Sequence, residues 1–197
     1  MSSMSDIGIF LVQTLGGVFL LIVLLRLLLQ WSKADFYNPI VQTLVKITQP
    51  AIAPLQTLLP TIRHINLAVL VLAFLVQLLI MVAVLLLYGL NNLSPIVSLI
   101  IWSLLGLASQ IIDIYFFAIL ITIILSWLTP HSFHPGTVLL RQLTEPVMKP
   151  ARRLIPNLGG LDFSPILVFI VINLIDTLVI KKLAILFAMP GSLVPGL

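Results

Sequence analysis

Two carboxylates, Asp113 and Asp176, stand inside otherwise apolar stretches of the chain. An ionisable group in an apolar span handles a proton or a cation, or is held by hydrogen bonds where helices pack. Asp113 precedes Trp127 by about 14 residues and Asp176 follows Ser164 by about 12, or about 21 and 18 Å along helices. The two would share one depth, with Lys181 at hand to balance them. Gln77 and Asn173 are mid-span amides 96 positions apart, which fits one interhelical hydrogen bond in each half of the chain. His131 and His134 are spaced for a metal or haem on a helix. Pro130 and Pro135 preclude a regular helix there, and no third ligand joins them. No metal or cofactor is expected.

The densest polar group is Arg141, Lys149, Arg152 and Arg153, followed by Asp162. On a helix lying at a membrane surface each such cation contributes about 1 kcal/mol of attraction to anionic lipid. The same set suits an acidic partner protein, and an orientation signal accounts for part of it. No glycine-rich phosphate loop, nucleophile elbow or metalloprotease helix occurs, and Glu145 is the single glutamate. A noncatalytic protein is expected.

The elements that position these groups follow from composition. Of 197 residues, 60% are hydrophobic and 8% charged, and the mean hydropathy is +1.24. A soluble domain has about 25% charged residues, so this chain belongs in a bilayer. A net charge of +4, gathered in two loops and near the C-terminus, leaves no nucleic-acid footprint. With no cysteine, disulfides and thiolate chemistry are excluded. The first residues lack the positive region of a cleavable signal, so the first apolar run is expected to stay as an anchor.

The chain repeats itself. A shift of 96 places Trp31 on Trp127, Thr48 on Thr144, and Pro39, Pro50, Pro54 and Pro60 on Pro135, Pro146, Pro150 and Pro156. Proline spacing dictates where helices end, so this register marks a tandem duplication. Apolar spans are expected at about 7–30, 67–90, 103–127 and 165–182, with 93–102 as a connector or short interfacial helix. Arg26, near the end of the first, is expected to snorkel to the interface. The Asn91-Asn92 pair is read as a turn. Lys33, Lys46 and Arg63 in one loop, and the basic set in the other, place both loops in the cytoplasm and the N-terminus in the periplasm. Lys181 and Lys182 fall on the outer side, against that rule.

Each loop alternates apolar and polar residues at helical spacing over 39–60 and 135–156. Pro50 and Pro146 are expected to break these into two short amphipathic helices lying at the membrane surface, with Pro54 and Pro150 opening the second piece. Gly159-Gly160 supplies a turn, and Ser164-Pro165 starts the last helix.

The closing Trp, the Thr-x-Pro-x-x-x-Pro-x-x-x-x-x-Pro register and Gly-Gly-x-Asp-Phe-Ser-Pro at 159–165 resemble the YggT family of bacterial inner-membrane proteins. The resemblance spans both repeats. It implies an all-α membrane protein of two tandem parallel repeats, 1–92 and 93–197. Each would hold two transmembrane helices joined by a proline-broken amphipathic pair. Chloroplast relatives are implicated in assembly of a b-type cytochrome haem site and in nucleoid or division behaviour, and bacterial members in osmotic-stress tolerance and cell shape. The implied role is an accessory one, assisting assembly or organisation of another membrane complex, with 146–165 as the working surface. The alternative is a small transporter or channel component in ion or osmotic homeostasis, with Asp113 and Asp176 lining the path. Expected partners are the bilayer, anionic inner-leaflet lipids, and a membrane protein or second copy. No catalytic residue carries over.

Overall fold

The computed structural model describes residues 3–62, 65–89, 96–129, 133–155, 162–191 and 193. In order these form α1 (Ser3–Trp31), α2 (Pro39–Gln56), a two-residue hairpin of β1 (Thr61–Ile62) and β2 (Ile65–Asn66), α3 (Leu67–Leu87), α4 (Ile96–Leu128) and α5 (Pro135–Leu154). The last rod is α6 (Ser164–Ile175), a π-helical turn (Asp176–Ile180) and α7 (Lys181–Leu186). Arg63, Asn91-Asn92, residues 93–95, His131 and Gly159-Gly160 lie outside the described residues. Among the described residues three helices, α1, α3 and α4, are long and apolar enough to cross a membrane. In lipid every backbone group must be satisfied within the segment, which uninterrupted Leu, Ile and Val runs achieve as helix. The expected connector at 93–102 is corrected in part: from Ile96 onward it is the first two turns of a 33-residue α4. Nothing in Ile96–Trp102 breaks a helix, so the helix continues beyond the length a bilayer requires.

Successive long helices run antiparallel. A Cβ placed on Gly16 of α1 would stand 2.6 Å from Ile80 Cγ1 of α3, and one on Gly8 would meet Leu87 at 3.5 Å. Gly16 thus sets the closest approach of α1 and α3, whereas Gly17 faces open space. α3 packs next on α4 through Gln77–Gln110 and Met81–Ser103. α4 packs on the last rod through Phe116–Phe169, and Trp102 Nε1 donates to Phe187 O at 2.9 Å. α1 and α4 therefore point the same way, as parallel repeats require. Leu20, Val23, Leu24, Val69, Met81 and Ile119 lie at the centre of the packing.

α2 and α5 carry the largest correction. Neither is broken: each is one continuous helix with its prolines inside, Pro50 and Pro54 in α2 and Pro146 and Pro150 in α5. Pro39 and Pro135, not Pro54 and Pro150, take the first-turn position. Proline deprives the carbonyl four residues back of its donor. In α2, Lys46, Pro50 and Pro54 share the exposed side, so the proline-freed carbonyls belong to residues on the open face of the helix. A side-chain bond also spans both prolines, Gln49 to Gln56 in α2 and Arg152 to Glu145 in α5.

The helix starts repeat in register. Asn38 Oδ1 accepts from Ile40 N at 3.0 Å, and His134 Nδ1 from Gly136 N at 3.2 Å. Asn66 Oδ1 accepts from Ala68 N, and Asp162 Oδ1 from Ser164 N, each at 2.9 Å. The starts of α2 and α5 also meet. Asn38 Nδ2 donates to Pro135 O at 3.0 Å, Asp35 N donates to Gln142 Oε1 at 3.1 Å, and Ile40 Cδ1 approaches Gly136. Both amphipathic helices thus begin at one end of the bundle.

Candidate functional site

Arg26 is the polar anchor of that end. It does not snorkel: the side chain is 4% exposed and turned inward onto α2. Its Nη1 donates to Thr48 Oγ1 at 2.7 Å and Val45 O at 3.3 Å, and its Nη2 to Gln49 Oε1 at 3.0 Å. α2 lies across the end of α1 and offers these acceptors, which an exposed rotamer would forgo. In the second repeat Thr122 takes the place of Arg26 and bonds Ala118 O of its own helix. The cation there is Arg152, reached from α5 itself.

Arg152 is fully engaged. Nη1 pairs with Glu145 Oε2 and Nε with Asp162 Oδ2, both at 3.0 Å. Asp162, also capping α6, fastens α5 to the start of the last rod. Burial works to raise the Asp162 pKa. Hydrogen bonds from Ser164 and Arg152, with the charge of Arg152, outweigh it and hold the carboxyl below its usual range. All five expected contact residues, Arg141, Lys149, Arg152, Arg153 and Asp162, are exposed, and Arg152 and Asp162 are also paired with each other within the chain.

Within the spans, Lys181 Nζ reaches Asp176 Oδ2 at 3.2 Å, and Asp113 lies within electrostatic reach of both. The π turn makes the ion pair. Five residues along an α-helix turn the side chain about 140° away, and the i→i+5 turn, with Lys181 N donating to Asp176 O, brings it back. Asp113 also lines a cavity of about 400 Å³ among α1, α4 and α5, with Gln110 as its polar neighbour and Leu21, Leu25, Ile121 and Leu140 as walls. Asp176 does not line it.

The amides depart from the symmetric expectation. Gln77 is buried and accepts from Gln110 Nε2 at 3.3 Å, but Asn173 is exposed and donates to Phe169 O of its own helix. Among the described residues no helix meets it there. His134 caps α5, so its Nδ1 faces a backbone N–H.

Sequence reasoning missed Arg26, Gln110 and the Gln49–Gln56 bond. A signal existed for the last: under the 96-residue shift Gln49 and Gln56 fall on Glu145 and Arg152. A neutral polar pair replaced by an ion pair at the same two positions points to contact.

The CCB3/YggT family model matches the chain twice, over 5–87 and 101–183, with a 96-residue offset at both ends. The chain belongs to the CCB3/YggT family. An uncharacterised protein of Pseudomonas aeruginosa, PA0392, is 46% identical over 193 residues, covering 98% of each chain. The uncharacterised YggT of Escherichia coli K12 is 34% identical over 188 residues, 95% of each chain. The uncharacterised ycf19 of Galdieria sulphuraria is 30% identical over 91 residues, 44% of this chain and 93% of its own. No solved structure matches. Each matched segment thus holds one long helix, an amphipathic helix and a second apolar helical rod, which in the second segment is interrupted by the π turn.

Proposed function

We propose that this CCB3/YggT protein is a noncatalytic accessory of the bacterial inner membrane that organises or assists assembly of another membrane complex. Four spans cross the bilayer, the last being Ser164–Leu186, and α2 and α5 lie at the cytoplasmic surface with the N-terminus outside. The observation that carries the reading is the meeting of α2 and α5 at one end of the bundle, with Lys46, Lys149 and Arg153 exposed there. Cations so placed suit anionic headgroups or an acidic partner. Exposed Trp31, Tyr37, Trp127 and Phe133 at the same end fit an interfacial aromatic belt. Crosslinking in native membranes with partner identification tests this. A reproducible heteropartner, lost in a K149E/R153E variant, is expected; contacts with lipid alone would overturn it.

A second reading, an ion-handling component, is favoured by the Asp113, Asp176 and Lys181 cluster. Asp176 does not line the cavity that Asp113 faces, which favours the first reading. Proton- or cation-dependent flux in proteoliposomes, abolished by D113N, would reverse that preference.

A further inference from the structure

The last rod of the second repeat carries a face that no helix among the described residues covers. α3 buries nine residues. Shifted by 96, their counterparts in the last rod are buried or half-buried except two, Asn173 and Thr177, which are exposed. These correspond to Gln77 and Met81, the residues through which α3 meets Gln110 and Ser103 of α4. Among these nine, full exposure falls only at the positions that touch the next repeat. Around them Ile166, Ile170 and Leu174 leave an open apolar groove of about 440 Å³.

The matching donor face is also free, at the other end of the chain. On α4 the face toward α3 carries Ser103, Gly106 and Gln110; their counterparts on α1 are Ile7, Phe10 and Thr14. Ser103 and Gly106 are buried, whereas Ile7 is 54% and Phe10 65% exposed, and Thr14 is exposed. Size is exchanged across the pair. Large Met81 faces small Ser103 inside the chain, while small Thr177 would face large Ile7. Thr14 brings a hydroxyl to Asn173, as Gln110 brings an amide to Gln77.

We infer that α1 of a second copy docks on the Asn173–Thr177 face of the last rod, continuing the α3–α4 packing from one chain to the next. α1 and α4 point the same way, so the second copy keeps the same orientation in the bilayer. The contact is head-to-tail, and two copies that each give and receive an α1 close into a ring of four repeats. The interhelical hydrogen bond and close packing supply the attraction that lipid-exposed apolar surface cannot.

The chain has no cysteine, so single cysteines report directly. Differently tagged T14C and N173C chains are co-expressed and treated in membranes with a short bismaleimide. A mixed T14C–N173C product is expected, well above that of T14C with L79C, whose site is exposed on α3. An N173L/T177L variant, altered only on the outer face, should weaken self-association of the purified protein about threefold per lost hydrogen bond. Yields of T14C with N173C no greater than with L79C would overturn the inference. So would N173C chains joining each other in preference to T14C, which would mean a symmetric contact of like faces.

Discussion

Gln49 Nε2 donates to Gln56 Oε1 at 3.0 Å, and 96 residues later Arg152 Nη1 makes the same seven-residue reach to Glu145 Oε2 at 3.0 Å. Two turns of helix separate the partners, and both prolines of each helix lie between them. The bond ties together the two sides of a segment that has lost hydrogen bonds to proline.

R152A removes this tie and the link to Asp162. Both ion pairs are about half exposed, so each is worth below about 1 kcal/mol. Unfolding in mixed micelles should show a loss of about 1 kcal/mol for R152A. E145Q/R152Q, which installs the first repeat's pair, should recover part of it.

Asp162 gives a pH dependence of known sign. Its folded pKa lies below the ordinary 3.8, so its contribution is present above that value and fades as pH falls through the folded pKa. D162N should keep the cap on Ser164, as Asn66 does for Ala68, and lose this acid-side dependence. Micelle stability of both proteins between about pH 2 and 5 checks it.

Arg26 is a buried cation held by neutral acceptors. R26A should cost about 3 kcal/mol through lost charged hydrogen bonds and packing. R26M, which removes the charge and keeps the volume, should cost less than R26K, which keeps a buried charge without the planar fork. Equal losses for R26M and R26K in the same unfolding assay would contradict this.

G16A should destabilise the bundle by about 1–3 kcal/mol, because the new methyl meets Ile80 and overpacks the α1–α3 contact. G17A, pointing into open space, should be neutral or gain up to about 1 kcal/mol of helix propensity. The contrast between neighbours separates packing from propensity.

Much of this architecture was legible in residue spacing, because the prolines and Trp31/Trp127 fix the repeat and composition fixes the solvent. The length of α4 was hidden, since an apolar run does not say where a membrane ends. The unbroken α2 and α5 were hidden as well: proline lowers helix stability locally, and long-range partners decide whether that cost breaks the helix. Arg26 was misread for the same reason, as its acceptors lie about 20 residues away in α2. The π turn that pairs Asp176 with Lys181 has no sequence mark. Asn173 was misjudged because its counterpart Gln77 owes its partner to α4, whereas Asn173 bonds its own helix.

The exchange of Arg26 for Thr122 makes the two halves respond differently to their medium. A guanidinium sealed among helices is nearly deaf to dissolved ions, whereas the Glu145–Arg152–Asp162 cluster stands within reach of them. Rising ionic strength therefore slackens the α5–α6 link and spares the α1–α2 contact, so the two halves of a molecule doubled from one plan differ in their response to salt.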